Sequence, residues 1–135
     1  MKTYYVNDEN FKQSEEYNDF LEQNPGIGYL RIRAYTASEA IPMNGLNIEV
    51  SKEIFGSKVI FFEGITDASG VTERIALPAS KTQSDNLVAP VPTIYDVKVS
   101  SQMQNINSVY SIKIYDGICV AQNINITPNS QVGGL

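Results

Sequence analysis

The 135-residue chain contains no histidine, no tryptophan and one cysteine, Cys119. Without histidine it lacks the commonest general base, the commonest metal ligand and the side chain that titrates near neutral pH. A single cysteine excludes an intrachain disulfide and a thiolate zinc site. Ten basic against fifteen acidic residues argue against a nucleic-acid partner, since phosphate binding requires a basic surface. These absences predict a protein that is not an enzyme and that uses no metal or other cofactor.

Long apolar segments are also missing. Residues 1–10 contain no apolar run of signal-peptide length, and no stretch approaches the roughly 20 apolar residues that span a bilayer. We therefore expect no membrane insertion. The sequence does not decide between two locations. The protein is either cytoplasmic or placed at a cell or spore surface by a route that does not use an N-terminal signal.

Most of the net charge of −5 lies at the N-terminus. Residues 1–25 carry two basic and six acidic side chains, whereas the other 110 residues carry eight basic and nine acidic ones. Helical periodicity within this acidic segment, an N-cap residue at Ser14 and a Pro25-Gly26 stop predict an amphipathic helix from about Ser14 to Gln23. Its apolar stripe consists of Tyr17, Phe20 and Leu21, and Phe11 lies roughly two turns earlier.

Two arrangements of this helix fit the pattern. In the first, the apolar stripe packs as a lid on the rest of the same chain. In the second, the helix is a docking arm that reaches a neighbouring subunit. Targets of calmodulin and helices that lie on membrane surfaces are basic, so neither role fits this acidic segment.

From Gly28 onward the apolar residues recur with a period of two, which is typical of strands. No segment of helical period lies between these strands, so a parallel α/β sheet is excluded. Asp116-Gly117 predicts a two-residue hairpin between the last two strands. The predicted strands are 28–35, 46–52, 58–63, 71–77 (ended by Pro78), 93–99, 109–114 and 118–126.

This pattern predicts a mainly β fold, a seven- or eight-stranded antiparallel β-sandwich with a short N-terminal amphipathic helix. The predicted division is an acidic extension at residues 1–25, the sandwich at 26–128 and a flexible tail at 129–135. A long polar connection runs from Ala79 to Pro92. Cys119 is expected to be a small buried side chain, with an intermolecular disulfide as the alternative.

Several short motifs, in their order and spacing, resemble the carboxypeptidase-regulatory-like or transthyretin-like β-sandwich domains, in the version found in envelope and cortex proteins of Gram-positive spore-forming bacteria. The resemblance covers about residues 28–128. It implies a structural role such as adhesion, spacing, assembly or stabilisation of a neighbour, as an inference from the fold alone. The motifs are Gly28-Tyr29-Leu30, the A-x-P-x-x-G segment 40–48, the T-D-x-x-G turn 66–70, Leu77-Pro78, 95–99 and Tyr115-Asp116-Gly117.

Aromatic and arginine side chains share the outward face of the first predicted strand. Faces of this kind are enriched at protein interfaces, although a second sheet or the helix could cover the rings instead. The rings could also stack on sugars. The candidate interface residues are therefore those of the N-terminal segment, Phe11, Tyr17, Phe20 and Leu21, and those of the strand, Tyr29, Arg31, Arg33 and Tyr35.

Two hypotheses for function follow. The first is a non-enzymatic structural module that assembles with itself, as in a fibre or appendage, or docks to a protein of the cell or spore envelope. The second is an accessory module that binds glycan or peptidoglycan through Tyr29 and Tyr35. In both, the partner is neither a nucleic acid nor a membrane interior.

Overall fold

The period-two segments of the sequence form the strands of the structure, a computed structural model that describes residues 1–36, 41–81, 91–101 and 106–126. Most of the predicted 79–92 connection and all of the tail lie outside these residues. The elements are β1 (Thr3–Tyr5), α1 (Glu9–Lys12), α2 (Glu15–Gln23), β2 (Gly26–Thr36), β3 (Ile41–Pro42), β4 (Asn47–Ile54), β5 (Ser57–Ile65), β6 (Ile75–Ala79), β7 (Thr93–Ser101), β8 (Ile106–Ile114) and β9 (Cys119–Asn125).

The strands form two sheets. A five-stranded sheet has the order β1-β5-β4-β7-β8, and a four-stranded sheet pairs β2 with β3, β6 and β9. The predicted mainly β sandwich with a short N-terminal helix is confirmed. The nine strands of the described residues exceed the predicted number because β1 and β3, with three and two residues, are too short to show alternation.

Not every pair of strands is antiparallel as predicted. β1 runs parallel to β5, and β9 runs parallel to β2 from Tyr29↔Cys119 to Tyr35↔Asn125. The hairpin predicted at Asp116-Gly117 is wrong, because β8 pairs with β7 in one sheet and β9 with β2 in the other. The dipeptide instead turns the chain between the sheets. Asp116 Oδ1 accepts from the Ile27 amide at 3.1 Å, and the Gly117 amide donates to the Ile27 carbonyl at 2.8 Å.

The sixth strand also differs from its prediction. It begins at Ile75 rather than Val71, and it continues through Pro78 to Ala79. Within the described residues β6 pairs only with β2, so it is an edge strand, where a residue without an N–H group is tolerated. Val71 lies outside β6 and pairs with Arg33 in an isolated β-bridge.

The T-D-x-x-G turn forms as predicted. Asp67 Oδ1 accepts from the amides of Ser69 at 2.9 Å and Val71 at 3.1 Å, and Gly70 has a φ of +76°. Thr66, which is 1% exposed, donates its hydroxyl to the Met43 carbonyl at 2.6 Å. These bonds fix the connection between β5 and the four-stranded sheet.

The core lies between the two sheets and includes part of the acidic segment. Phe11 and Phe20 are 7% and 5% exposed and belong to the same cluster as Leu30 of β2 and Val97 of β7. β1 adds a strand to the five-stranded sheet. Residues 1–25 are thus packed against the sandwich. In the described part of the chain, neither helix is long and apolar enough to cross a bilayer.

Candidate interaction surface

β2 divides its side chains between the core and solvent. Leu30, for example, is fully buried, whereas Ile27, Arg31 and Arg33 on the opposite side are exposed and Tyr29 is half-buried. Alternate residues of a strand point to opposite faces of its sheet, so these outward side chains form one row. The predicted mixed aromatic and arginine face is therefore present.

The neighbours of this row are short. Ala76 of β6 lies beside Tyr29 in the antiparallel register. The β9 residues paired with Tyr29, Arg31 and Arg33 are all exposed, and they are Cys119, Ala121 and Asn123. Because these neighbouring side chains are short, the longer side chains of β2 project further from the sheet than they do.

Arg74 joins the same surface. Its guanidinium carbon lies 4.4 Å from the centroid of the Tyr29 ring, which is a cation–π geometry. The sequence pattern could not reveal this contact, because Arg74 lies in the irregular segment before β6. We call Tyr29, Arg31, Arg33 and Arg74 the arginine face.

The arginine face is positively charged on a chain whose net charge is −5. Two carboxylates, Asp67 and Glu73, line the same shallow depression as Arg31. Neither forms an ion pair with it, since within the described ranges the one ion pair joins Lys58 to Glu49 at 2.8 Å. The guanidinium donors thus face solvent with most of their hydrogen-bonding capacity unused.

Tyr35 occupies the next outward position of β2 but is only 8% exposed. The ring of Tyr29 is partly covered by Arg74. Stacking on a sugar requires an open ring face, and the two tyrosines together do not offer a pair of such faces. Tyr35 therefore contributes little to the outer surface, whereas the three other predicted strand residues belong to it.

The four candidate residues of the N-terminal segment, Phe11 in α1 and the other three in α2, pack on their own chain. A continuous series of ring contacts, with centroid distances from 5.0 to 6.2 Å, leads from β1 through both helices into the five-stranded sheet. Tyr17 and Leu21 pack as half-buried residues against the core. This is the first of the two predicted arrangements, and a role of these residues in an interface stays a prediction. The rings in order are Tyr4, Phe11, Tyr17, Phe20, Phe61 and Tyr95.

The helix begins as predicted, because the Ser14 hydroxyl accepts from the Tyr17 amide at 3.2 Å. Asp8 caps the preceding short helix in the same way. With its apolar stripe turned inward, the segment presents its charges to solvent. We call the exposed carboxylates of this segment the acidic surface, and they are Asp8, Glu9, Glu15, Glu16, Asp19 and Glu22.

A buried polar cluster lies where α2 meets the end of the sandwich. The hydroxyls of Thr93 and Ser80 donate to Asn24 Oδ1 at 2.6 and 3.2 Å. Lys52 Nζ donates to the Ile94 carbonyl at 2.8 Å, and burial lowers the pKa of Lys52. An amide oxygen does not act as a general base, so these hydrogen bonds hold the hydroxyls without activating them as nucleophiles. Since its members are far apart in sequence, no pattern predicted this cluster.

Tyr95, the last ring of the series, makes the free energy of unfolding depend on pH in the alkaline range. Burial, with a smaller contribution from Tyr17, raises the pKa of its phenol far above the ordinary value of 10.0. Its hydroxyl donates to the Pro78 carbonyl. The unfolded chain therefore releases this proton first, so the contribution to stability is complete below pH 10 and is lost as the pH rises further.

We expect the free energy of unfolding to fall once the pH passes 10.0, the ordinary tyrosine pKa. Tyr95→Phe removes the titrating group, so its stability should fall less steeply over that range even though the variant starts less stable. Urea unfolding at a series of pH values measures both slopes. Equal slopes for the variant and the wild type would show that Tyr95 is not responsible.

Cys119 is exposed, so its prediction as a buried side chain is wrong. Its register position opposite Tyr29 turns it to the outer side of β9. An intermolecular disulfide stays a prediction. Over the described ranges no three side chains of His, Cys, Asp or Glu come together as a metal site would require.

No protein-family model matches the chain, and no curated protein sequence matches it. Among solved structures it is similar to the Bacillus anthracis TIE protein, with 18% identity and a TM-score of 0.50 over 74% of this chain, which spans 16% of that protein. It is also similar to Klebsiella pneumoniae 5-hydroxyisourate hydrolase (14% identity, TM-score 0.48, 75% of this chain and 91% of that chain). A third similar structure is transthyretin from Sparus aurata (15% identity, TM-score 0.46, 73% of this chain and 88% of that chain). At 18% identity the likeness to the first of these structures shows the fold alone.

Proposed function

We propose that this chain is a non-enzymatic interaction module that assembles with copies of itself through the arginine face. The observation that carries the proposal is the row of Arg31 and Arg33 beside the Arg74–Tyr29 pair, exposed on an otherwise acidic chain. Arginine and tyrosine are among the residues enriched at the centres of protein interfaces. Docking to an envelope protein, the other role predicted from the sequence, would use the same face but leave the protein a single chain in solution.

Charge favours a second copy as the partner. The described chain separates its charges between two surfaces, since the arginine face is basic and the acidic surface carries six carboxylates. Complementary potentials steer association and exclude like-charged partners. Each molecule therefore carries both halves of an attractive contact.

The glycan-binding alternative has less support. Its stacking platform was predicted from Tyr29 and Tyr35, and the second of these is 8% exposed. A non-enzymatic role is favoured by the absence of histidine and by the hydroxyls that donate to Asn24. Binding of the wild-type protein to peptidoglycan that is lost in Tyr29→Ala would speak for the glycan-binding alternative and against this choice of function.

Reversing the charge of the arginine face is expected to abolish self-association. In Arg31→Glu/Arg33→Glu the face would meet the acidic surface with like charge, so the association constant should fall by at least about tenfold. Light scattering against concentration measures it. Lys81→Glu/Lys113→Glu makes the same change in net charge at exposed lysines elsewhere and serves as the control. Loss of association in both variants alike would show that net charge, and not this face, controls assembly.

A further inference from the structure

The turn between β4 and β5 exposes a phenylalanine in an unfavourable backbone conformation. Phe55 has a φ of +47° and Gly56 one of +81°, between the closing pair Ile54↔Ser57. Within the described residues Phe55 is the one non-glycine residue with positive φ. Two-residue turns with positive φ at both positions favour Asn, Asp or Gly, which makes a bulky aromatic residue a poor choice for folding alone.

Phe55 gains little from its own chain in return, since it is 62% exposed. It forms one wall of a hollow of about 390 Å³ between this turn and the N-terminal segment. Aromatic rings of Tyr4 and Phe11 line the same hollow, and Asp8 and Glu16 contribute carboxylates. The hollow therefore combines ring surfaces with negative charge.

The carboxylates of the hollow have capacity to accept more hydrogen bonds. Asp8 uses Oδ1 to accept from the amides of Asn10 at 2.9 Å and Phe11 at 3.4 Å. Among the described residues, no donor reaches Asp8 Oδ2 or the carboxylate of Glu16. A planar guanidinium suits such a place, because it bonds to carboxylates and stacks on aromatic rings.

We propose that this hollow receives the arginine face of a second copy of the chain, with the guanidinium of Arg31 or Arg33 between Phe55 and Glu16. These two arginines are the members of the face that do not stack on Tyr29. The inference rests on the proposed self-assembly and identifies the surface that the arginine face contacts. Because the two surfaces are different parts of the molecule, each copy gives one contact and receives another. The contact is heterologous and can repeat to form a ring or an open fibre.

Phe55→Asn separates a role in binding from a role in folding. Asparagine tolerates positive φ, so we expect the variant to be at least as stable as the wild type in thermal unfolding. Its self-association should nevertheless weaken by about tenfold, since it loses an aromatic anchor. An unchanged association constant, or a clear loss of stability, would overturn the role given to Phe55.

A mixing experiment tests the pairing of the two surfaces. Glu16→Arg should weaken self-association alone, as should Arg31→Glu/Arg33→Glu. Mixed in equal amounts, the two variants regain opposite charges at every contact and should recover assembly by light scattering. Glu22→Arg changes charge equally on an exposed position of the same helix outside the hollow, so it should weaken association less than Glu16→Arg does.

The outcomes separate this inference from the proposed function. If Arg31→Glu/Arg33→Glu prevents assembly but Glu16→Arg and Phe55→Asn assemble normally, the arginine face binds elsewhere and only the inference fails. If Arg31→Glu/Arg33→Glu itself assembles like the wild type, the proposed function fails. No recovery in the mixture, with both variants folded, would also overturn the pairing.

Discussion

Gly70→Ala is expected to lower the free energy of unfolding by about 3 kcal/mol or more, which is a large share of the total stability of a small domain. A Cβ at this position would lie 2.4 Å from the Ala34 carbonyl oxygen and 3.0 Å from the Met43 amide nitrogen. Both are backbone atoms, so no side chain can rotate to make room. The positive φ of 76° adds strain to the clash.

Gly45→Ala is the matched control for this prediction. Gly45 has nearly the same φ, +77°, but a Cβ there meets no described atom within 4 Å. The free energy of unfolding of Gly45→Ala should therefore fall only by the strain that the left-handed conformation imposes on alanine, about 1–2 kcal/mol. Chemical unfolding of both variants isolates the close approach at Gly70. If both variants lost the same free energy of unfolding, the result would contradict the tight contact between the 66–70 turn and β2.

Phe20→Ala is expected to lower the free energy of unfolding by about 3–4 kcal/mol. The ring is 5% exposed and lies between those of Tyr17 and Phe61, 6.2 and 5.9 Å away. Truncation removes buried apolar surface and leaves a cavity where α2 meets the five-stranded sheet. The loss should appear in urea unfolding as a lower midpoint.

Asp19→Ala provides the comparison on the same helix. Asp19 is exposed, and substitutions of that kind usually change stability by less than about 0.5 kcal/mol. If Phe20→Ala were as mild as Asp19→Ala, the N-terminal segment would not be part of the folded core. The second predicted arrangement, a docking arm, would then be favoured.

Local patterns predicted the local parts of the structure well. β2 alternates as its sequence does, α2 starts after the Ser14 cap, and Asp67 with Gly70 forms the predicted turn. In each case the deciding interactions lie within a few residues along the chain. The alternation of a strand also indicates which of its faces is buried, which is why the outward position of Tyr29, Arg31 and Arg33 could be predicted.

The partners of the strands were harder to predict from the sequence than the strands themselves. The sequence around Asp116-Gly117 contains a turn between two strands, which looks the same whether those strands pair with each other or enter different sheets. The parallel pairing of β9 with β2 depends on closure of the whole sandwich. Alternation therefore identified β8 and β9 but not their partners.

Two parts of the candidate site arise only from tertiary contacts. Arg74 reaches the Tyr29 ring from an irregular segment, and Phe55 becomes notable only because its φ is positive in a turn. Neither residue stands out by type or spacing. The same is true of Asn24, whose buried side chain bonds to Ser80 and Thr93.

The most direct test of self-assembly is the molar mass of the wild-type protein by sedimentation equilibrium, over rising concentration at low and at high salt. The account predicts a mass that exceeds one chain and grows with concentration at low salt. High salt should return it towards a single chain, since screening within about 3–10 Å weakens exposed charge contacts. A single-chain mass at every concentration and salt level would contradict self-assembly through the arginine face.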